Sequence, residues 1–267
     1  MMQINLFCTE CIKESIKNGD EYVEDFMVPI SGAQDSPIYD VHCKKGHKTK
    51  ALLRNEKFEI LFDLGLNGLA DGYHREAILS FTGSLERFYE FFLKITARDK
   101  YSKEAYDIAW KSIKNQSERQ LGAYIFAYLH QTGEPPQMLS DNDFHFRNKV
   151  VHKGYIPDIK ETLQYGEAVR KIVNDSIRKM KTLYGQKLET LFYEGFKEYE
   201  DTPGCEGGCN ITTVLDVCNG PDFKKEDIRN RPLEEIIPIM LERRAPQRMR
   251  LSKTLPPDIQ NNTDDHK

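Results

Sequence analysis

Three stripes of apolar side chains, recurring every three to four residues, constrain this chain more than any other feature of its sequence. Phe58, Leu61, Phe62 and Leu66 form the first; Ile78, Phe81, Leu85, Phe88, Tyr89 and Phe92 the second; Leu163, Val169, Ile172, Val173, Ile177 and Met180 the third. A 3.6-residue period places each set on one face of a helix, and such a face must be buried against another element. Residues 51–200 therefore read as an α-helical bundle, and the chain as mainly α. Helix ends are marked as well. Ser117 stands three residues before Gln120, the spacing of a capping box, and Ser140 or Asp141 can cap a helix that Gly154 closes. Pro135-Pro136 forces the break before that helix.

The flanks differ. Residues 1–50 hold three of the six cysteines and two of the seven histidines, with turn-rich runs such as Ser31 to Pro37 and little helical periodicity. Cys8-x2-Cys11 is followed, after 31 intervening residues, by Cys43-x3-His47. Two pairs at this spacing suit tetrahedral zinc, with Cys8, Cys11, Cys43 and His47 as ligands, in an arrangement that resembles a zinc ribbon. His42 competes for the fourth place; Gly46 favours His47 by permitting a tight knuckle. Four protein ligands fill the shell, so the ion is structural and no catalytic metal is expected. A segment this poor in apolar residues gains its missing folding free energy from the ion, on the order of 10 kcal/mol. Residues 201–267 read as a C-terminal extension whose pattern recovers around Leu233 to Leu241 and whose polar tail, from about 252, reads as disordered. Cys205, Cys209 and Cys218 have no nearby histidine or fourth cysteine and read as free thiols.

With 38 Lys and Arg against 42 Asp and Glu, the net charge of -4 argues against a chain that grips nucleic acid with its whole surface. A local patch remains: ten Lys and Arg face five acids between Asp143 and Lys187. No apolar run approaches the roughly 20 residues that span a bilayer, and the first residues lack the pattern of an export signal, so a cytoplasmic chain without membrane contact is expected. The phosphate loop, the dinucleotide fingerprint, HExxH and GxSxG are all missing.

The stretch from Phe144 to Pro157 carries the most chemistry. Arg147, Asn148 and His152 lie among the apolar Phe146, Val150 and Val151 on an expected helix. Cleaving RNA through its own 2'-hydroxyl requires a group that moves protons near neutral pH, which imidazole does, and His152 is the candidate. It also requires positive charge where the phosphate becomes more negative, and the Arg147 guanidinium supplies it with paired hydrogen bonds. Asn148 precedes His152 by one turn on the same face and can orient the imidazole or bind phosphate. Five residues turn about 140° on an ideal helix, so Arg147 and His152 do not simply share a face. Two copies related by a two-fold axis would bring two arginines and two histidines into one cleft. Glu86, on the preceding long helix, is a weaker candidate for the cleft; its plainer reading is an exposed charge beside Arg87. His145 lies nearly in line with His152 and reads as structural, while His74 and His130 have no partner at a telling spacing.

This Arg-Asn-x3-His arrangement resembles the signature of the HEPN superfamily: an arginine, a polar residue, three to five further residues and a histidine, on a late helix of an all-α bundle. The resemblance covers about residues 55–200 and leaves the ribbon and the C-terminal extension outside. It implies that Arg147, Asn148 and His152 are active-site residues of a metal-independent endoribonuclease, leaving 2',3'-cyclic phosphate ends. It further implies an RNA substrate, a homodimer, and a toxin or antiviral defence setting in which a regulatory protein or nucleotide ligand acts as a further partner. The alternative is a non-catalytic RNA- or nucleotide-binding module, or a dimerisation unit.

Overall fold

The structure is a computed structural model that describes residues 3–18, 27–218 and 230–239. Its contacts divide the chain into two units, Met1–Phe223 and Lys224–Lys267, and in the second, residues 233–239 are helical. The tail expected from about 252 lies outside the described residues.

The chain is mainly helical, with a small sheet region at its start. Strand β1 (Gln3–Phe7) pairs antiparallel with β2 (Met27–Ser31), Gln3 opposite Ser31 and Phe7 opposite Met27. Between them, α1 (Thr9–Asn18) occupies sequence in which no helix is expected. Its ten residues bury only Cys11 and Ser15, leaving Ile12 half-buried and Ile16 exposed. Strands β3 (Ile38–His42) and β4 (Lys48–Leu53) form an antiparallel hairpin, and the turn between them carries Cys43, Gly46 and His47.

The third strand of that sheet comes from the far end of the unit. β5 (Cys205–Cys209) pairs parallel with β4, Lys50 opposite Cys205 and Leu53 opposite Cys209. The zinc-ribbon-like module is expected within residues 1–50; the sheet that carries its second ligand pair takes in a strand from beyond residue 200. Its core joins Ile4, Leu6, Tyr39 and Val41 to Ile60 of the first bundle helix and to Cys209.

The bundle comprises α2 (Lys57–Ala70), α3 (His74–Arg98), α4 (Lys103–Lys111), α5 (Ser117–Thr132), α6 (Asp141–Lys153), α7 (Ile159–Tyr184), α8 (Lys187–Glu194) and α9 (Lys197–Glu200). Helix α3 is its hub, packing against α2, α4, α5, α6, α7 and α8. The expected stripes supply the core: all six residues of the α3 stripe are buried, and in α7 Val169, Ile172, Val173, Ile177 and Met180 are buried with Leu163 at the margin. A cluster of rings runs through the centre, with Phe58 edge-on to Phe88 at 5.3 Å and Tyr124 against Tyr89 at 4.4 Å. Two buried hydroxyl contacts tie the helices together: Ser84 donates to the Phe58 carbonyl at 2.7 Å, and Tyr124 and Ser176 share a bond of 3.0 Å.

Caps follow the sequence at α6 and depart from it at α5. Ser140 and Asp143 form the α6 capping box, and Gly154 ends the helix at φ +70°, a left-handed conformation that favours glycine. The Ser117 box does not form, because the helix already begins at Ser117 with Gln116 as its cap. Gln120 turns inward instead, donating to the Lys114 carbonyl at 2.7 Å and accepting from Arg87 at 3.4 Å.

Candidate functional site

Two candidate sites stand apart in the first unit. At the sheet module, Cys8 and Cys11 start α1, while Cys43 and His47 sit on the β3–β4 turn. The turn is fixed by the Gly46 N–H donating to the Cys43 carbonyl at 3.0 Å and by the Cys43 N–H donating to the His47 carbonyl at 3.2 Å. Gly46, at φ +88°, takes a conformation that a side chain would strain. The ligand atoms of Cys8, Cys11, Cys43 and His47 all lie within 4.8 Å of one another. Cys11 Sγ is 3.6 Å from Cys43 Sγ and 3.4 Å from His47 Nδ1, and Cys8 Sγ is 3.8 Å from the same nitrogen. A tetrahedral ion with bonds of about 2.0–2.3 Å sets its ligand atoms about 3.5–3.8 Å apart, so these four side chains can hold a metal ion. His42 is exposed on β3 and outside the cluster, leaving His47 as the fourth ligand.

Electrostatics at the cluster point the same way. Burial, reinforced by Cys43 and Cys8, pushes the Cys11 thiol up to about 12. Burial also raises Cys43, but backbone donors at His47 and Lys45 and the Cys11 thiol outweigh it and bring Cys43 down to about 7. Three sulfurs this close cannot all ionise without a cation between them. Around them, His47 Nε2 lies 3.2 Å from Glu14 Oε1, and Lys45 Nζ donates to Glu14 Oε2 at 3.1 Å. The Lys45 hydrogen bond is the main reason the Glu14 carboxyl sits below its usual range. With Nε2 donating to this carboxylate, Nδ1 is left unprotonated and aimed at the sulfurs.

The second site is α6. Arg147 and Asn148 are half-buried on the side facing α3, whereas His152 is exposed in the last turn. The Arg147 guanidinium donates to Glu86 Oε1 of α3 at 3.1 Å and to Asn148 Oδ1 at 3.0 Å. Asn148 is therefore turned toward Arg147 rather than toward His152. Glu86, whose plainer reading is a solvated charge beside Arg87, is Arg147's ion-pair partner, and Arg87 pairs with Glu90 instead. One turn separates Glu86 from Glu90 on α3, and sequence spacing alone does not tell which faces α6. His152 makes no hydrogen bond or ion pair among the described residues. His145 is exposed, with Nδ1 2.6 Å from the Asp141 carbonyl, a local contact within the helix. Past Gly154 the chain is pinned by Lys149 Nζ, 3.4 Å above the Tyr155 ring, and by the Tyr155 hydroxyl donating to Glu161.

A groove of about 1080 Å³ opens elsewhere, between the 33–37 loop, α2, α3 and the α8–α9 turn; none of its lining residues belongs to α6. Cys205, Cys209 and Cys218 do not join a metal cluster among the described residues. Cys209 is buried in the module core, and burial with the nearby Glu59 charge pushes Cys218 up to about 12. No helix among the described residues is long and apolar enough to cross a membrane. Compared with family models, curated proteins and solved structures, the chain matches none.

Proposed function

We propose that this chain is a metal-independent endoribonuclease of HEPN type, with an N-terminal zinc ribbon that serves structure rather than catalysis. The observation that carries the reading is the setting of Arg147. Glu86 and Asn148 hold its guanidinium on the bundle wall, and three of its five N–H donors remain for a phosphate. His152 follows on the same helix, exposed and without a hydrogen bond or ion pair among the described residues. Arg147 would bind the scissile phosphate and offset the charge that grows on it, while His152 would move protons between the 2'-hydroxyl, the leaving oxygen and water. Phe144, Ile156 and Ile159 expose 50 %, 75 % and 55 % of their surface around this segment, which supports a homodimer covering it and pairing two such helices. The sulfur-rich tetrahedral ligand set supports zinc at the ribbon, where it would fix the β3–β4 turn to α1.

Incubating purified protein with RNA in magnesium-free buffer, with its ribbon metal left in place, tests this reading. Cleavage leaving 2',3'-cyclic phosphate ends is expected, with losses of about 100-fold or more for Arg147→Ala and for His152→Ala. Cleavage unchanged in both variants overturns it. The location of the groove, away from α6, favours a second reading, a non-catalytic RNA- or nucleotide-binding or dimerisation module. Salt-sensitive RNA binding without products would select the binding form of that reading.

A further inference from the structure

Three carboxylates that neither candidate site uses are buried where α2 meets residues 211–217. Glu59, Asp63 and Asp216 are 1 %, 8 % and 5 % exposed. Asn55, just ahead of α2, and Glu59 and Asp63 on it follow one another four residues apart, and each grips the main chain of this C-terminal strap. Asn55 takes both sides of Ile211: its Nδ2 donates to the carbonyl at 3.0 Å and its Oδ1 accepts from the N–H at 2.8 Å. Asp63 Oδ1 accepts from the Val214 N–H at 3.1 Å, and Glu59 Oε1 accepts from the Val217 N–H at 2.9 Å. Glu59 Oε2 is occupied by Asn55 Nδ2 and the Glu56 N–H.

We propose that Asn55, Glu59 and Asp63 form a proton-operated latch, which holds residues 211–217 on α2 most firmly in acid and loosens as the pH rises toward neutrality. Among the described residues neither Glu59 nor Asp63 pairs with a cation. The titratable groups around the latch are Glu56 on α2, Asp216 and Cys218 on the strap, and Glu189 and Tyr193 of α8 beside Cys218. Burial, then the Asp216 charge, raises Glu59 well above the carboxylate range; burial raises Asp63 to about 7 against the opposing Val214 hydrogen bond. Once the strap lifts, both return to water and ordinary acidity near 4. The closed latch thus binds more protons than the open one. Its stability is fully present below the ordinary value and falls as pH climbs, the Asp63 share being lost as pH passes about 7 and the Glu59 share as pH passes that group's own raised value. This is the reverse of ordinary acid unfolding.

Because β5 runs directly into the strap, the latch sets how tightly the sheet module is tied to the bundle. Amide exchange of Val214 and Val217 in the metal-loaded full chain, corrected for intrinsic rates, reads the opening constant. We expect it to rise about tenfold or more between pH 5.5 and 7.5. Asp63→Asn keeps an oxygen for the Val214 N–H and mimics the protonated form, so its opening constant should rise clearly less steeply over this range than the wild type's, only the Glu59 share of the slope remaining. Val173 in α7 should show no such rise. A flat wild-type profile, a variant retaining the wild-type slope, or a Val173 profile that tracks Val214 overturns the latch. Carbon-13 titration of the Asp63 carboxyl in the wild-type chain decides the matter should the variant not fold: a midpoint near the ordinary 3.8 sinks the proposal, and one near 7 sustains it.

Discussion

His47 shows how a single side chain is shaped into a candidate ligand by its neighbours. Its Nδ1 faces Cys8 and Cys11 while Nε2 meets Glu14, itself held by Lys45, so the imidazole tautomer is set from outside the cluster. Glu14→Gln should weaken metal binding by about 10- to 100-fold without removing any ligand, as read by competition with a coloured chelator. Equal affinity in wild type and variant would mean that the Glu14 contact does not orient the ring. Arg147 is held in a comparable way by Glu86. If the ribonuclease reading holds, Glu86→Gln removes a negative charge from the phosphate site and slackens the guanidinium, so KM for RNA should fall while kcat falls too. A purely structural Glu86 would lower only the apparent kcat, through lost folded protein, and leave KM unchanged. The pair itself, partly exposed on both sides, contributes at most about 1 kcal/mol to stability.

Helices α2 and α3 share the most extensive contact in the bundle, and Gly65 leaves room in it for the Phe81 ring. A Cβ built there would lie 2.5 Å from the Phe81 ring, which is fully buried and packed 4.9 Å from Phe62. Gly65→Ala would gain up to about 1 kcal/mol of helix propensity but force the ring from its place, at a cost of about 1–3 kcal/mol. A net loss is expected, visible as a Tm lower by a few degrees; an unchanged or raised Tm would show that Phe81 can retreat. At this scale the sequence was most legible where one element's own periodicity decides its structure. The α3 and α7 stripes are buried as expected, and Ser140 and Gly154 bound α6, because those signals are local. What escaped depends on partners far along the chain. Cys205 to Cys209 contains two glycines and little strand propensity, and it becomes β5 only because β4 offers an edge some 150 residues earlier. Glu59 and Asp63 look like solvated helix charges until residues 214 and 217 cover them. The candidate metal ligands were legible because tetrahedral geometry restricts their spacing; Glu86 was legible only as a weak candidate for the cleft, since ion pairing between helices leaves no periodic mark.

The first unit is built on two centres that share a border. The ring cluster of the bundle contains no metal ligand, whereas Cys8, Cys11 and Cys43 belong to the module core together with Ile60 of α2 and Cys209 of β5. Metal removal should therefore loosen one centre and spare the other. Structural zinc supplies on the order of 10 kcal/mol to peptides that have little else to hold them; were the cluster to hold zinc, packing against α2 and pairing with β5 would replace part of that support. On chelation we expect amide protection at Val41 and Leu52 to collapse, at Cys209 to weaken, and at Phe88 and Val173 to persist, with most of the far-ultraviolet helical signal retained. Restoring zinc should restore protection in the same order. Loss of the Phe88 and Val173 protection along with the module would show instead that both centres fold as one cooperative body, with the metal at its root.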